Sequence, residues 1–312
     1  MILKGLSYYF NQLNYNEKVI NMKKIVVSLI TSLGLISLLA GCGTTKLTTT
    51  KTNYRQNGMV AVVKGTAAKQ ADLKYRINQE RFKKVTVKGG TYVIQVPTTT
   101  NTQTVTVRAK ANGKTSTKQV TIAAATAVGQ YAKIANQYNQ ALVGMALSKA
   151  DQTKAQELQK QAAAAKAGQL TATELGALKQ TQQVVQDAMQ QAHQTQKERL
   201  LPTTPKNGVS EWTANQHVTI RGSVDNQDVM GITLITPVNA LKNKAALKDF
   251  GTSFALIAQA TGADSKKVMS EFSDYTKNNK KGSQTTMKTI KSHGVKFNTG
   301  FSASHLYIYI TK

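Results

Sequence analysis

The chain carries one cysteine, Cys42, and a lone thiol excludes both an intramolecular disulfide and a Cys-built metal cluster. Its use therefore depends on its neighbours. The four histidines, His193, His217, His293 and His305, are scattered, and none has a metal-ligand partner at i+2 or i+4. Ser292-His293 and Ser304-His305 are adjacent pairs. Neighbours on a strand point to opposite faces, so neither pair is expected to set a hydroxyl against an imidazole. Gly-x-Ser-x-Gly, His-Glu-x-x-His and a Walker loop are absent, so no catalytic residue, cofactor or metal is expected. Asp225 and Asp228 bracket a turn and read as turn chemistry before they read as a cation site. Two features suit binding instead. Tyr307 and Tyr309 alternate with Leu306, Ile308 and Ile310, which puts both phenols on one strand face, where they could stack on sugars or a peptide or be half covered. Lysines at 64, 69, 74, 83, 84 and 88, and at 277, 280, 281, 288, 291 and 296, form two basic runs.

The setting of Cys42 is informative. From Met22 the chain reads MKKIVVSLITSLGLISLLAGC: a basic start at Lys23 and Lys24, an apolar stretch from Ile25 to Leu38, then Leu39-Ala40-Gly41-Cys42. This closely resembles the bacterial lipobox, with Leu39, Ala40 and Gly41 before the modified cysteine. The resemblance implies diacylglyceryl transfer to the Cys42 sulfur, cleavage just before it, and a lipid-anchored protein on the outer side of the cell membrane. The competing reading is a transmembrane helix with a chance cysteine, but the stretch is shorter than the roughly 20 residues a span needs. Residues 1–21 precede the basic start and do not fit the pattern; translation from Met22 or a long leader would both account for them.

The formal charge is +26, with 41 Lys and Arg against 15 Asp and Glu. It is concentrated in residues 43–126, where 15 basic residues face only Asp72 and Glu80. Such a field favours anionic partners: phospholipid headgroups, phosphate-rich wall polymer, or nucleic acid. Nucleic acid is disfavoured, because it calls for aromatics interleaved with the cations and only Tyr75, Phe82 and Tyr92 qualify. Lys83, Lys84 and Lys88 are the expected contacts to an anionic polymer.

The elements that must position these residues follow from periodicity. Residues 42–58 are polar and Thr-rich, and read as a lipidated tether. Residues 59–126 alternate with period two at Val60/Val62, Leu73/Tyr75/Ile77, Val85/Val87, Tyr92/Ile94/Val96, Val105/Val107 and Val120/Ile122, with a hairpin turn at Asn112-Gly113. The phrases GGTYVIQVP and TVTVRAKANGKTSTKQVTI resemble the immunoglobulin-like modules of Gram-positive surface proteins, which implies a small all-β sandwich. Residues 127–200 are helical in composition. Tyr131, Ile134, Tyr138, Leu142 and Met145 make one stripe, and Thr171-Ala172-Thr173-Glu174 is a capping-box pattern, so an α-helical hairpin segment is expected. Residues 201–209, with Pro202 and Pro205, read as a linker. Residues 210–312 are expected to be an α+β domain: strands at 218–224 and 229–235, helices at 239–260 and 264–278, a short helix at 284–292, and strands at 295–301 and 306–310, giving an antiparallel sheet backed by helices. Trp212 is placed before the first strand, as a core anchor or part of a ligand surface.

The expectation is a multidomain, non-enzymatic surface lipoprotein that binds or organises anionic envelope material or acts in adhesion. Its partners are membrane lipid, through acylated Cys42, and an anionic wall polymer or headgroups. A solute-binding lipoprotein of a transporter is one alternative, although βαβ alternation is missing. An envelope enzyme with a site in the C-terminal domain, gathering His217, His305 and an acid, is the other. Cys42→Ala should leave a precursor that takes up no labelled fatty acid and ignores a signal peptidase II inhibitor. Recovery of the wild-type protein unlipidated in the medium would overturn the lipobox reading.

Overall fold

The computed structural model describes residues 45–278 and 289–312; Leu39 to Cys42, Lys280, Lys281 and Lys288 lie outside them. The described chain is mixed α/β, with five α-helices and three β-sheets whose pairings are mostly antiparallel. Among the described residues no helix is long and apolar enough to cross a membrane.

Eight strands make the first unit: β1 (Leu47–Thr49), β2 (Asn53–Tyr54), β3 (Val60–Ala67), β4 (Asp72–Ile77), β5 (Lys83–Val85), β6 (Thr91–Pro97), β7 (Gln103–Ala111) and β8 (Lys114–Ile122). They divide into a three-stranded sheet, β1-β3-β6, and a five-stranded sheet, β2-β8-β7-β4-β5, in which only β2 and β8 run parallel. The expected alternation aims Ile94 and Val96 from one sheet, and Leu73, Val105, Val107 and Val120 from the other, into a shared core. On β3 the inward face is one residue out of step with the expected Val60 and Val62, because Ala61 and Val63 are the buried pair. Asn112 and Gly113 hold φ of 49° and 75°, the paired positive values of a two-residue hairpin turn. Residues 45–58 are not a free tether. Leu47 and Tyr54 are buried in this core, Tyr54 OH donates to the Lys64 carbonyl, and the threonines pair across β1 and β3, Thr48 Oγ1 lying 2.7 Å from Thr66 Oγ1. Two apolar anchors suffice because β-branched threonine suits the extended backbone and main-chain pairing does the rest.

The second unit begins earlier than its composition suggests. It comprises β9 (Gly129–Gln130), α1 (Tyr131–Ala146), α2 (Lys149–Lys166), α3 (Ala172–Thr195), β10 (Gly208–Ala214), β11 (Thr219–Asp225), β12 (Asp228–Pro237), α4 (Lys244–Ala260), α5 (Ser265–Asn278), β13 (Ile290–Ser292), β14 (Val295–Phe301) and β15 (His305–Thr311). The antiparallel sheet runs β10-β11-β12-β15-β14-β13, and β9 adds to β12. The expected stripe of α1 is real, but Tyr131, Ile134, Tyr138 and Leu142 are buried in one core with α4, α5 and this sheet. The helical segment is therefore not one separate unit. Only α2 and α3 stand outside: α2 buries no residue, and α3 buries Leu178, Val185 and Ala192. The Thr171–Glu174 capping box is formed.

The expected linker is also fastened. Asn139 donates to the Leu201 carbonyl and accepts from its amide, both at 2.8 Å, and Tyr131 OH donates to the Pro202 carbonyl at 2.7 Å. Trp212 lies inside β10, at a bulge between Glu211 and Thr213, and is buried edge-on against Tyr131 with ring centroids 4.9 Å apart. The described end of the expected 284–292 helix is strand β13: Ile290 and Ser292 face inward, Lys291 outward, and His293-Gly294, at φ 49° and 81°, turns the chain into β14. Lysine spacing there imitated a helix face, whereas the period of two around a positive-φ turn decided for a hairpin.

Gly222 faces Trp212 so closely that a Cβ there would collide with the indole. Gly222→Ala should therefore lower unfolding stability by roughly 1–3 kcal/mol, the usual cost of overpacking. It should also red-shift the fluorescence of this sole tryptophan; unchanged stability in urea would mean the strands yield freely.

Candidate functional site

On β4, Leu73 and Ile77 point into the core, so Asp72, Lys74 and Arg76 stand on the outer face of the five-stranded sheet. The same alternation sends Arg108 and Lys110 outward from β7, between buried Val107 and Ala109. The register then sets Lys84 opposite Lys74 and Lys74 opposite Arg108, three cations in a row across three strands. Adjacent strands lie about 4.8 Å apart, and like charges directly opposite one another repel. Phe82 folds onto this face beneath two guanidiniums, with Arg108 Cζ 4.1 Å and Arg76 Cζ 5.1 Å from its ring centroid. The Arg76 Nε is buried without a hydrogen-bond partner.

The two acids of this unit are both engaged. Asp72 sits 3.1 Å from Lys74, and Glu80 sits 2.9 Å from Lys83. Exposed pairs of this kind are weak. Among the described residues no carboxylate lies within ion-pair distance of Arg76, Lys84, Arg108 or Lys110. The three expected contacts are thereby separated. Lys84 belongs to the row. Lys83 is opposite Tyr75, on the other side of the sheet, and its hydrogen bond to Glu80 holds its ammonium above the ordinary lysine range. Lys88 lies in a turn, its carbonyl accepting from Thr91 Oγ1. Arg76, Arg108 and Lys110 were not singled out from the sequence, although the alternation of Thr104, Thr106, Arg108 and Lys110 about Val105, Val107 and Ala109 carried the signal; Phe82 was named there only as an aromatic among the cations. Of the other aromatics named, Tyr92 is buried, which pushes its phenol up to about 12, and Tyr75 packs against the core.

Tyr307 and Tyr309 share the sheet face away from the buried Leu306, Ile308 and Ile310. Their rings are parallel to within 6°, with centroids 6.1 Å apart, and His305 continues the line 6.2 Å from Tyr307. The first unit reaches this face. Gln56 Nε2 donates to the Met230 carbonyl at 2.6 Å, and a Cβ on Gly58 would stand 3.0 Å from Tyr309 Cδ1. Partial burial pushes the Tyr309 phenol above its usual range, with Tyr307 adding to the shift.

The remaining polar groups form pairs. Against expectation, Ser304 Oγ and His305 Nδ1 are 2.8 Å apart, because Ser304 belongs to the turn before β15 and not to the strand. His217 Nδ1 is 2.7 Å from Asp249 Oδ2, and Arg199 Nη1 is 3.4 Å from the other oxygen. Asp228 accepts from Gln130, and Asp225 from Asn226, across a turn with φ of 48° and 76°. His293 pairs with the Gly262 carbonyl at 3.0 Å. Among the described residues no three His, Cys, Asp or Glu side chains group as metal ligands.

No family model matches the chain, and no curated protein matches it. Among solved structures, an NMR structure of a protein from Bacteroides thetaiotaomicron aligns with 30% of this chain and 98% of that one, at 11% identity and a TM-score of 0.22, too slight a likeness to carry an argument.

Lys84→Glu would replace a repulsive cross-strand pair by an attractive one. It should raise unfolding stability by roughly 0.2–1 kcal/mol, towards the lower figure given the exposure of Lys74. Urea denaturation checks this, and a loss of stability would show that the row carries no repulsion.

Proposed function

We propose that this is a non-enzymatic lipoprotein, anchored through Cys42 to the outer side of the cell membrane, that holds anionic envelope polymer on the outer face of its five-stranded sheet. The observation that carries the reading is the row Lys84, Lys74 and Arg108, flanked by Arg76 and Lys110. A surface that sets like charges opposite one another is relieved when a polyanion lies across it, so part of the folding cost returns as binding. Phe82 stiffens the two arginines beside it, which reduces the entropy lost when phosphate groups dock. The anchor rests on the Leu39-Ala40-Gly41-Cys42 motif, and two acyl chains hold where one would be marginal.

We read the first unit as an immunoglobulin-like sandwich. In support, β1, β3 and β6 stand in the order of strands A, B and E, and β8, β7 and β4 in that of G, F and C. The sandwich departs from antibody domains in lacking the inter-sheet disulfide, which the chain's single cysteine, Cys42, cannot form. The membrane-proximal place of this unit sets its basic face among headgroups and wall polymer.

The lipid-free chain from residue 43 should bind isolated cell walls in low salt and lose them steeply as salt rises, because counterions return to the polymer. Replacing Lys74, Lys84 and Arg108 by Gln should reduce the slope of log affinity against log salt by about 2–3, roughly 0.7–0.9 per neutralised phosphate. Replacing Lys154, Lys160 and Lys166 on α2 should leave it unchanged. An unaltered slope in the first variant would sink the proposal.

A further inference from the structure

We infer that the line His305, Tyr307 and Tyr309 is a stacking platform for an uncharged glycan chain, a site separate from the basic face. Three rings at every second position of one strand share a face, with centroid spacings of 6.2 and 6.1 Å. The strand that carries them, β15, is interior to the sheet, hydrogen-bonded to β12 on one side and β14 on the other. The spacing is therefore set by the two-residue repeat of a strand whose backbone is paired on both sides. Tyr307 and Tyr309 are parallel to within 6° and His305 is tilted 51° from Tyr307, so two parallel rings and a tilted third are evenly spaced for a ligand that itself repeats flat units along an extended chain.

Each ring is held before any ligand arrives. His305 is tied through Nδ1 to Ser304 Oγ at 2.8 Å. Tyr309 has Gly58 on one flank and Gly300 on another, where a Cβ would approach Tyr309 Cε2 to 3.3 Å. Tyr307, between them, is parallel to Tyr309. His305, Tyr307 and Tyr309 are all half-exposed, so the platform runs the length of the three rings, with Tyr309 as the fixed end beside Gly58 of the first unit. Rings fixed in advance lose little freedom on binding, which is the circumstance in which stacking yields net affinity.

The surroundings select the ligand's charge. Cross-strand from the three rings stand Pro237, Ile235 and Thr233 on β12, and Gly300 and Asn298 on β14. None is charged. Asn298 Oδ1 already accepts from Thr289 Oγ1 at 2.6 Å, which leaves its amide NH2 as the donor a ligand hydroxyl would meet. Stacked nucleic-acid bases would bring phosphates that want cations beside the rings, and these neighbours supply none. A neutral polyhydroxylated chain, apolar on its ring faces and hydrogen-bonding at its edges, fits both features.

The test uses the lipid-free chain from residue 43 and a soluble β-1,4-linked chitin oligosaccharide, with titration calorimetry in low and high salt. The wild type is expected to bind equally well in both. Tyr307→Ala should weaken binding about tenfold or more, as loss of a stacked ring does elsewhere, while Tyr307→Phe retains it. His305→Ala, at the half-exposed start of the strand, should also weaken binding and serves as the readout if Tyr307→Ala unfolds. Lys84→Glu should leave glycan affinity unchanged, which separates failure here from failure of the polymer-binding proposal. No binding by the wild type would overturn the inference. So would equal affinity in Tyr307→Ala, or binding only of single-stranded DNA that vanishes with salt.

Discussion

The packing of α1 against the seven-stranded sheet holds the second half of the molecule together. Tyr131 meets Trp212 edge-on, and Ile134, Tyr138 and Leu142 fill the space before Phe250, Phe254 and the inner sheet face. These contacts join residues about 80 or more positions apart, so the intervening α2–α3 hairpin is a closed excursion and not a spacer between domains. The loop-closure cost grows only slowly with length, and the buried aromatics offset it. The same contact fastens 201–202 through Asn139 and Tyr131, and it requires a glycine at 222. Burial leaves its mark on the phenols too: those of Tyr131 and Tyr138 are both pushed upward by loss of water.

Once the inner sheet face is spent on this core, its outer face is free for other purposes. Part of it meets the first unit, through Gln56, Gly58 and the close approach of Gly231. That seam is thin and polar. Ser223 and Thr233, neighbours in register of Gly231 and Tyr309, are buried with hydroxyls that lack partners. Orphaned hydroxyls cost about 1–3 kcal/mol each, so the seam is held by shape and a few directed bonds more than by apolar burial. The aromatic line begins at this seam and runs away from it.

The first unit spends stability differently. Its two acids are placed on Lys74 and Lys83, and Lys74, although paired with Asp72, still stands between Lys84 and Arg108 across the strands. Two sheets closed around a core of valines and isoleucines can carry that repulsion, because each exposed pair costs a fraction of the burial that one core side chain contributes.

What the amino-acid order determined by itself is whatever depends on near neighbours. The Leu39–Cys42 motif, the alternation of β4 and of β6 to β8, the Asn112-Gly113 turn, the Thr171 capping box and the side of β15 on which Tyr307 and Tyr309 stand are all local facts, legible at a spacing of two to four residues. By contrast β3, a run of Val60-Ala61-Val62-Val63, leaves its inward face undecided until the second sheet arrives. Tertiary structure decided what depends on partners far along the chain. Leu47 and Tyr54 look like stray apolar residues in a polar tether until strands from 60 and 122 arrive beside them. The α1 stripe shows that a face must be buried but not against what. Ser304 meets His305 because it lies in the turn just before β15, which begins at His305. The basic site is the clearest case: Lys84, Lys74 and Arg108 are separated by 10 and 34 positions, and no periodicity within one segment can bring them into a row. Strand register does that, and register is set by which faces the two sheets bury together.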